Sequence, residues 1–239
     1  MIIKKQNYSI FFGDMHTCPV HYQSPGFPLF CEKLRSKNAL RNIVLLKQVH
    51  GVDGMSINAT TQLPEPVVLY PQDGDYLLTD QVGVGLAVLT ADCMPVVLCD
   101  VARGVVGIAH AGWRGTVTGV VVNLVEHMQQ AFGCLPSQLQ VYFGPSARTC
   151  CYQVQPDFRQ YLEPFAGHEL LLEREGKLFF DQAACNKFQL VQAGVVPENI
   201  DTSQHICTIC DHRFHSFRRQ KAQAGRNVSV VWLPSRRPS

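Results

Sequence analysis

Val84-Gly85-Leu86-Ala87-Val88-Leu89, Val96-Val97-Leu98-Cys99-Asp100-Val101 and Val105-Val106-Gly107-Ile108-Ala109 are three short apolar runs, rich in valine and broken by Asp, Gly or Pro. Runs of this length and composition spell buried strands, and their closeness in the chain predicts that they lie side by side. After Gly115 the period changes. Val117, Val120, Val121, Leu124, Val125, Met128 and Phe132 recur at three- and four-residue steps, an amphipathic helix that Gly133 and Pro136 end. Strands passing into a helix set the class as mixed α and β.

Upstream, Ile43-Val44-Leu45-Leu46 reads as a strand entering Lys47-Gln48-Val49-His50-Gly51, and Tyr76-Leu77-Leu78-Thr79 as another. The segment Pro64 to Asp73 between them is turn-rich. In residues 1 to about 40, Gly13, Pro19, Pro25, Gly26 and Pro28 predict irregular structure around short strands. Downstream, Leu139 to Phe143 forms a strand stopped by Gly144-Pro145, followed by a helix near Pro156 to Leu162 and a strand at Leu178-Phe179-Phe180. A helix from Asp181 to Ala193 has Asp181 as its N-cap and Gly194 as its stop, and Val228 to Trp232 is the last strand. With no repeat, linker or low-complexity segment, the expectation is one α/β (mixed α+β) domain over 1–239, its mixed β-sheets flanked by helices.

Hydrophobic residues make up 46% of the 239 and charged residues 17%, a balance that supports a packed core. The formal charge of +2 gives no electrostatic case for a nucleic-acid or membrane partner, and the tail Ser235-Arg236-Arg237-Pro238 is too short to be a basic run. No apolar run approaches the ~18–20 residues of a membrane span. The start Met1-Ile2-Ile3-Lys4-Lys5 lacks the apolar region of a secretory signal, so the expected compartment is cytoplasmic. There the ten cysteines would be mostly reduced.

His50, Cys93 and His110 each sit at or just beyond the end of a predicted strand, where rigid backbone hands side chains to a cleft. Two imidazoles and a thiolate form a borderline-soft set suited to zinc. Three protein ligands with a fourth position open is the catalytic arrangement of that metal. Spacing alone is a weak signal for ligands dozens of residues apart.

The local words are more specific. They run Lys47-Gln48-Val49-His50-Gly51, Asp73-Gly74-Asp75, Leu78-Thr79-Asp80, Leu89-Thr90-Ala91-Asp92-Cys93-Met94-Pro95-Val96 and Ala109-His110-Ala111-Gly112-Trp113-Arg114-Gly115. Gly144-Pro145, Cys150-Cys151-Tyr152, Phe180-Asp181, Asn186, Cys207-Thr208, Ser216-Phe217-Arg218-Arg219 and Gly225-Arg226 follow. In this order they resemble the polyphenol oxidase or laccase-domain family, also called peptidoglycan editing factor and regarded as purine nucleoside phosphorylases, from about Leu45 to Trp232. The resemblance implies a metal site at His50, Cys93 and His110 and a fold related to a group once taken for cysteine hydrolases. It also implies phosphorolysis of adenosine, inosine and methylthioadenosine, together with adenosine deamination.

Those activities need purine nucleosides and phosphate as small-molecule partners. Zinc chemistry of the deaminase kind is compatible with the ligand set. The turn Gly112 to Thr116 opening the Val117 helix, with Arg114, Arg218, Arg219 and Arg226, offers places for phosphate. Asp73, Asp75 and Asp92 lie beside the ligand words, as carboxylates that orient imidazoles, as catalytic acid/base groups (Asp75 and Asp92), or as plain turn residues. Two departures from the family pattern bear on substrate contacts. Phe12-Gly13-Asp14-Met15-His16-Thr17 lacks the usual Arg and Gly-Gly pair, and Gln153 stands where Glu is usual.

Three other readings remain open. A copper oxidoreductase would use Cu2+ on the same triad, but a multicopper oxidase needs about ten His, many in His-x-His pairs, and this chain has nine His and no such pair. A metal-free cysteine hydrolase would use Cys93 as nucleophile and His110 as base. Zinc could also serve only as a structural staple. Separately, His205-Ile206-Cys207-Thr208-Ile209-Cys210-Asp211-His212 with His215 holds a CxxC flanked by His, which taken alone reads as a structural zinc or redox site although Cys207-Thr208 is also a family word, whereas Cys150-Cys151 reads as part of a strand or turn.

Overall fold

Side-chain parity along the valine-rich strands builds the molecule. The computed structural model describes residues 1–17 and 26–234, so Pro19, Pro25 and the tail from Ser235 lie outside the described residues. With elements numbered in chain order, the first mixed sheet runs β1 (Ile2–Lys4), β2 (Ser9–Phe12), β15 (Asn227–Trp232), β7 (Val84–Thr90), β3 (Asn42–Lys47) and β5 (Val67–Asp73). The second runs β14 (Ile200–Asp201), β10 (Gln140–Phe143), β8 (Met94–Asp100), β9 (Val105–Ala111), β6 (Tyr76–Thr79) and β4 (Gly54–Ile57). A small third sheet joins β11 (Gln153–Val154), β13 (Lys177–Phe180) and β12 (Leu171–Arg174).

The two large sheets stack face to face. On β8 and β9, Val97, Cys99, Val106 and Ile108 turn inward to meet Val44, Leu46, Leu86 and Val88 of the first sheet. Their alternate neighbours Met94, Val96, Leu98, Val105 and Ala109 face the helices α3 (Val120–Phe132) and α4 (Gln182–Gln192). Ile43, Leu45, Ala87, Val228 and Val230 point the other way, onto Phe27, Cys31 and Leu34 of α1 (Gly26–Lys37). Period-two alternation with apolar residues at both parities gives this four-layer arrangement, because each sheet is buried on both faces. Among the described residues no helix is long and apolar enough to cross a membrane.

Several expectations from the sequence are corrected here. The three valine runs do not lie side by side. β8 and β9 pair antiparallel, but β7 belongs to the other sheet, and residues 91–93 carry the chain from one sheet to the next. Residues 26–37 are helical because Phe27, Cys31 and Leu34 share one face, and Pro28 falls in the first turn, where its missing N–H costs nothing.

Val67–Asp73 is a strand, not turns; it tolerates Pro71 because it is an edge strand. The helix after Gly115 is two helices, α2 (Trp113–Thr118) and α3, broken where Gly119 takes the left-handed conformation (φ 95°). The helix near Pro156 is a 3-10 helix over Pro156–Phe165. Asp181 caps α4 as expected, its side chain accepting from the Ala184 amide at 2.8 Å.

Candidate metal centre

Strand register brings three donors together. β8 and β9 pair so that Met94 faces Ala111 and Pro95 faces His110, which places Cys93, one residue before β8, at the same end of the hairpin as His110. His110 shares parity with Val106 and Ile108 and so leaves β9 on the face between the sheets. β6 pairs antiparallel with β9, Tyr76 facing Ala109, so the residue before Tyr76, Asp75, reaches His110. His50 arrives from the end of β3. Gln48 anchors that segment, its side-chain amide donating to the Leu89 carbonyl and its side-chain oxygen accepting from the Leu89 amide, both at 2.8 Å.

The donor atoms of His50, Cys93 and His110 all lie within 4.8 Å of one another. The two rings meet edge to face with centroids 4.8 Å apart. Exposure is graded: His50 is exposed, Cys93 half-buried and His110 buried, so the cluster opens to solvent on one side. Gly112 leaves the room for it, since a Cβ there would stand 2.6 Å from the His50 ring and 3.3 Å from the Cys93 sulfur. His50 and Asp92 both take left-handed backbone (φ 63° and 83°), which costs non-glycine residues energy and persists where surrounding structure enforces it.

Asp75 organises the centre. Its buried carboxylate accepts from the amides of Val49 (3.2 Å), His50 (3.0 Å) and Gly51 (2.6 Å) and from His110 Nδ1 (2.7 Å). Burial opposes its charge, yet His110 and the loop amides hold the carboxyl below its ordinary range. Burial would likewise raise the Cys93 thiol, but His110 and His50 pull it down to about 6. His110 is raised to about 9 against the burial that would lower it, by the Cys93 sulfur and Asp75. A low-pKa thiolate and two imidazoles within coordination range, one with its Nδ1 proton committed to a carboxylate, fit a metal such as zinc or copper by geometry and by donor chemistry.

The other sequence-predicted residues divide. Asp73 forms an exposed ion pair with Lys47 at 2.9 Å. Asp92 engages both carboxylate oxygens, one accepting from the Thr208 hydroxyl (2.7 Å) and the other from the Arg218 amide (2.6 Å). It thereby pins α5 (Phe217–Gln220) beside Cys93. Arg218 is exposed, stacks 5.1 Å from the Tyr152 ring and donates to the Gln153 carbonyl at 2.8 Å, a backbone contact that the Gln-for-Glu departure leaves intact.

Arg114 is also exposed, over the Trp113 ring at 4.4 Å. Burial and Cys93 push the Tyr152 phenol up while Arg218 and Arg114 oppose them, so Tyr152 sits within electrostatic reach of the triad and of both cations. Arg219 instead ties down the 208–214 loop through the carbonyls of Thr208, Ile209 and Phe214. Arg226 donates to the Ala224 and Gly225 carbonyls. Because Gly119 ends α2 after six residues, the turn at Gly112 does not head the long helix, and the aligned dipole expected there belongs to α3 instead.

Polar support behind the centre comes from α4, where the sequence words single out Asn186 but neither Gln182 nor Gln189. Gln182 of α4 donates to the Ala111 carbonyl and, at 3.1 Å, to the Thr116 hydroxyl; Asn186 donates to the same hydroxyl at 3.3 Å and Gln189 to the Thr116 carbonyl at 2.6 Å. These buried amides lock the strand end carrying His110 to α2. Three polar residues at i, i+4 and i+7 on an otherwise amphipathic helix were the available signal.

Comparison with known proteins places this geometry. Residues 29–234 match the family model described as multi-copper polyphenol oxidoreductase laccase. A Deinococcus radiodurans protein named purine nucleoside phosphorylase is 37% identical over 191 residues, covering 80% of this chain and 70% of the relative. Purine nucleoside phosphorylase YlmD of Geobacillus stearothermophilus is 34% identical over 199 residues, covering 80% and 72%. A protein from an unknown prokaryotic organism, named adenosine deaminase RL5, is 36% identical over 163 residues, covering 66% and 62%. The crystal structure of YlmD superposes with a TM-score of 0.79 at 28% identity, over 95% of this chain and 92% of that one. The chain belongs to the laccase-like family of multi-copper polyphenol oxidoreductase proteins that this model describes.

Proposed function

We propose that the chain is a zinc-dependent purine nucleoside phosphorylase acting on adenosine, inosine and methylthioadenosine, with the metal held by His50, Cys93 and His110. The observation that carries this reading is the convergence of those three donors at a solvent-open edge beside two exposed arginines. Zinc bound there supplies a Lewis acid that polarises an oxygen or nitrogen of the substrate.

The chain's own residues do the rest. Asp75 keeps the Nδ1 proton of His110, so Nε2 presents its lone pair to the cluster. Arg114 and Arg218 offer forked donors to phosphate, and Asp92 fixes the backbone from which Arg218 projects. In phosphorolysis a phosphate oxygen bonds to the ribose anomeric carbon, the bond from that carbon to the purine breaks, and the purine leaves with a proton. The names carried by the two phosphorylase relatives support the same reaction. A cytoplasmic setting suits the reduced thiols of Cys93, Cys99, Cys134 and Cys185.

Two other readings have a specific observation behind them. The relative named adenosine deaminase supports hydrolytic deamination at the same centre. In the absence of metal, Cys93 at about 6 and His110 at about 9 form the thiolate–imidazolium pair of a cysteine hydrolase. A four-copper oxidase is not supported, since the chain has nine His in all and the triad is the one His-containing donor cluster among the described residues.

Product analysis separates these readings. Adenosine incubated with the protein and phosphate should yield adenine and ribose 1-phosphate, with no adenine when phosphate is withheld. Inosine formed without phosphate would move the assignment to deamination.

A further inference from the structure

A second sulfur cluster lies outside the triad. The side chains of Cys150, Cys151, Cys207 and Cys210 bring four sulfurs within 4.8 Å of one another. Cys210 stands 3.0 Å from Cys151 and 3.4 Å from Cys150. Cys150 and Cys151 occupy a tight turn in which the amides of Cys151 and Tyr152 both donate to the Arg148 carbonyl, so consecutive side chains project toward one point. The CxxC loop meets that turn through a bridge pairing Ser146 with Cys207. None of the flanking histidines joins this sulfur cluster, and His205 bonds the Ser146 hydroxyl at 2.9 Å.

We propose that these four cysteines form a structural zinc site, separate from the His50–Cys93–His110 centre and independent of the function proposed for it. Zinc–sulfur bonds of ~2.3 Å at tetrahedral corners set sulfurs about 3.8 Å apart, and small adjustments of the present spacings reach that geometry. A disulfide would use two of the four sulfurs and leave two thiols crowded against it. Four thiolates on one Zn2+ carry a net charge of −2. Two guanidinium groups stand by to offset it: Arg174 donates to the Thr149 and Cys150 carbonyls, and Arg219 to the Thr208 and Ile209 carbonyls. On binding, four S–Zn bonds form and the thiol protons pass to solvent, with no change of oxidation state.

The location explains what such a staple would hold. Cys151 precedes Tyr152, and Cys207 precedes Thr208, whose hydroxyl holds Asp92. Arg218, pinned by Asp92, stacks on Tyr152. Zinc on the four sulfurs would therefore clamp together two segments more than fifty residues apart that form one rim of the first centre.

The test uses the full chain carrying His50→Ala and Cys93→Ala, which removes the first centre. Purified protein should retain about one zinc per chain, and X-ray absorption should show a shell of four sulfurs. Cobalt substituted at this site should give the intense ligand-field bands of a tetrahedral thiolate complex. Adding Cys207→Ser and Cys210→Ser should abolish both signals. If that variant fails to fold, the absorption shell of the first variant still decides. A shell containing nitrogen, zinc-free protein that takes up none, or a thiol count showing a Cys151–Cys210 disulfide in protein purified without oxygen would overturn the proposal.

Discussion

Asp75 and His110 are joined twice: the His110 amide donates to the Asp75 carbonyl at 2.7 Å, and His110 Nδ1 meets the Asp75 carboxylate at the same distance. The backbone bond fixes the register of β6 against β9, and the side-chain bond fixes the tautomer and tilt of the ring. The same carboxylate gathers three amides of the loop bearing His50, so one side chain sets the positions of two of the three clustered side chains.

Asp75→Asn should therefore weaken zinc binding by about 10–100-fold, the usual loss when a carboxylate behind a ligating histidine is removed. Chelator competition measures it. An unchanged affinity would show that strand packing alone orients His110.

Gly112→Ala forces a methyl group into the space held by the His50 ring. Overpacking of this kind costs ~1–3 kcal/mol, and the ring is the part able to move. The variant should stay folded by circular dichroism while losing most of its metal.

Metal uptake should depend on pH with a defined sign. Between about 6 and about 9 the metal-free centre holds Cys93 as thiolate and His110 as imidazolium. Coordination needs the thiolate and a neutral ring, so binding at neutral pH displaces the His110 proton. Apparent affinity should rise about ten-fold per pH unit across this window, level off above it, and fall more steeply below it as Cys93 also takes up a proton. Calorimetry in buffers of different ionisation enthalpy should count about one proton released per metal from this residue.

Arg218→Ala should raise the KM for phosphate about ten-fold or more with a smaller change for nucleoside, the loss expected for a charge-assisted contact worth ~1.5–3 kcal/mol. Steady-state kinetics with each substrate varied in turn checks it. Equal effects on both substrates would place Arg218 elsewhere in the mechanism.

Asp92→Asn separates holding from proton transfer. Both carboxylate oxygens are taken by Thr208 and the Arg218 amide. The substitution should lower thermal stability and raise the KM for phosphate while leaving the limbs of the pH–rate profile in place. Loss of one limb would make Asp92 an acid/base group.

Much of this was legible in the sequence because strand parity and word order are local properties. Val84 to Ala111 announced its strands, and the words around Cys93 and His110 pointed to two of the three side chains that the fold clusters. The assignment of β7 to the opposite sheet was not legible, since it turns on the left-handed backbone at Asp92, which a non-glycine residue does not advertise. Helix α1 was masked by Pro28 and Gly26 at its start. The joining of Cys150-Cys151 with Cys207 and Cys210 rests on a bridge between segments distant in sequence, which no spacing rule encodes. Asp75 was read as one of three similar carboxylates, and only the pairing of β6 with β9 singles it out.

The most direct test of the central claim is phosphate-dependent release of adenine from adenosine by protein stripped of metal and then titrated with zinc. Turnover should be negligible without metal, recovery should follow occupancy of the His50–Cys93–His110 centre, and Cys93→Ala should show none. Full activity in the metal-free protein, abolished by alkylation of Cys93, would contradict it.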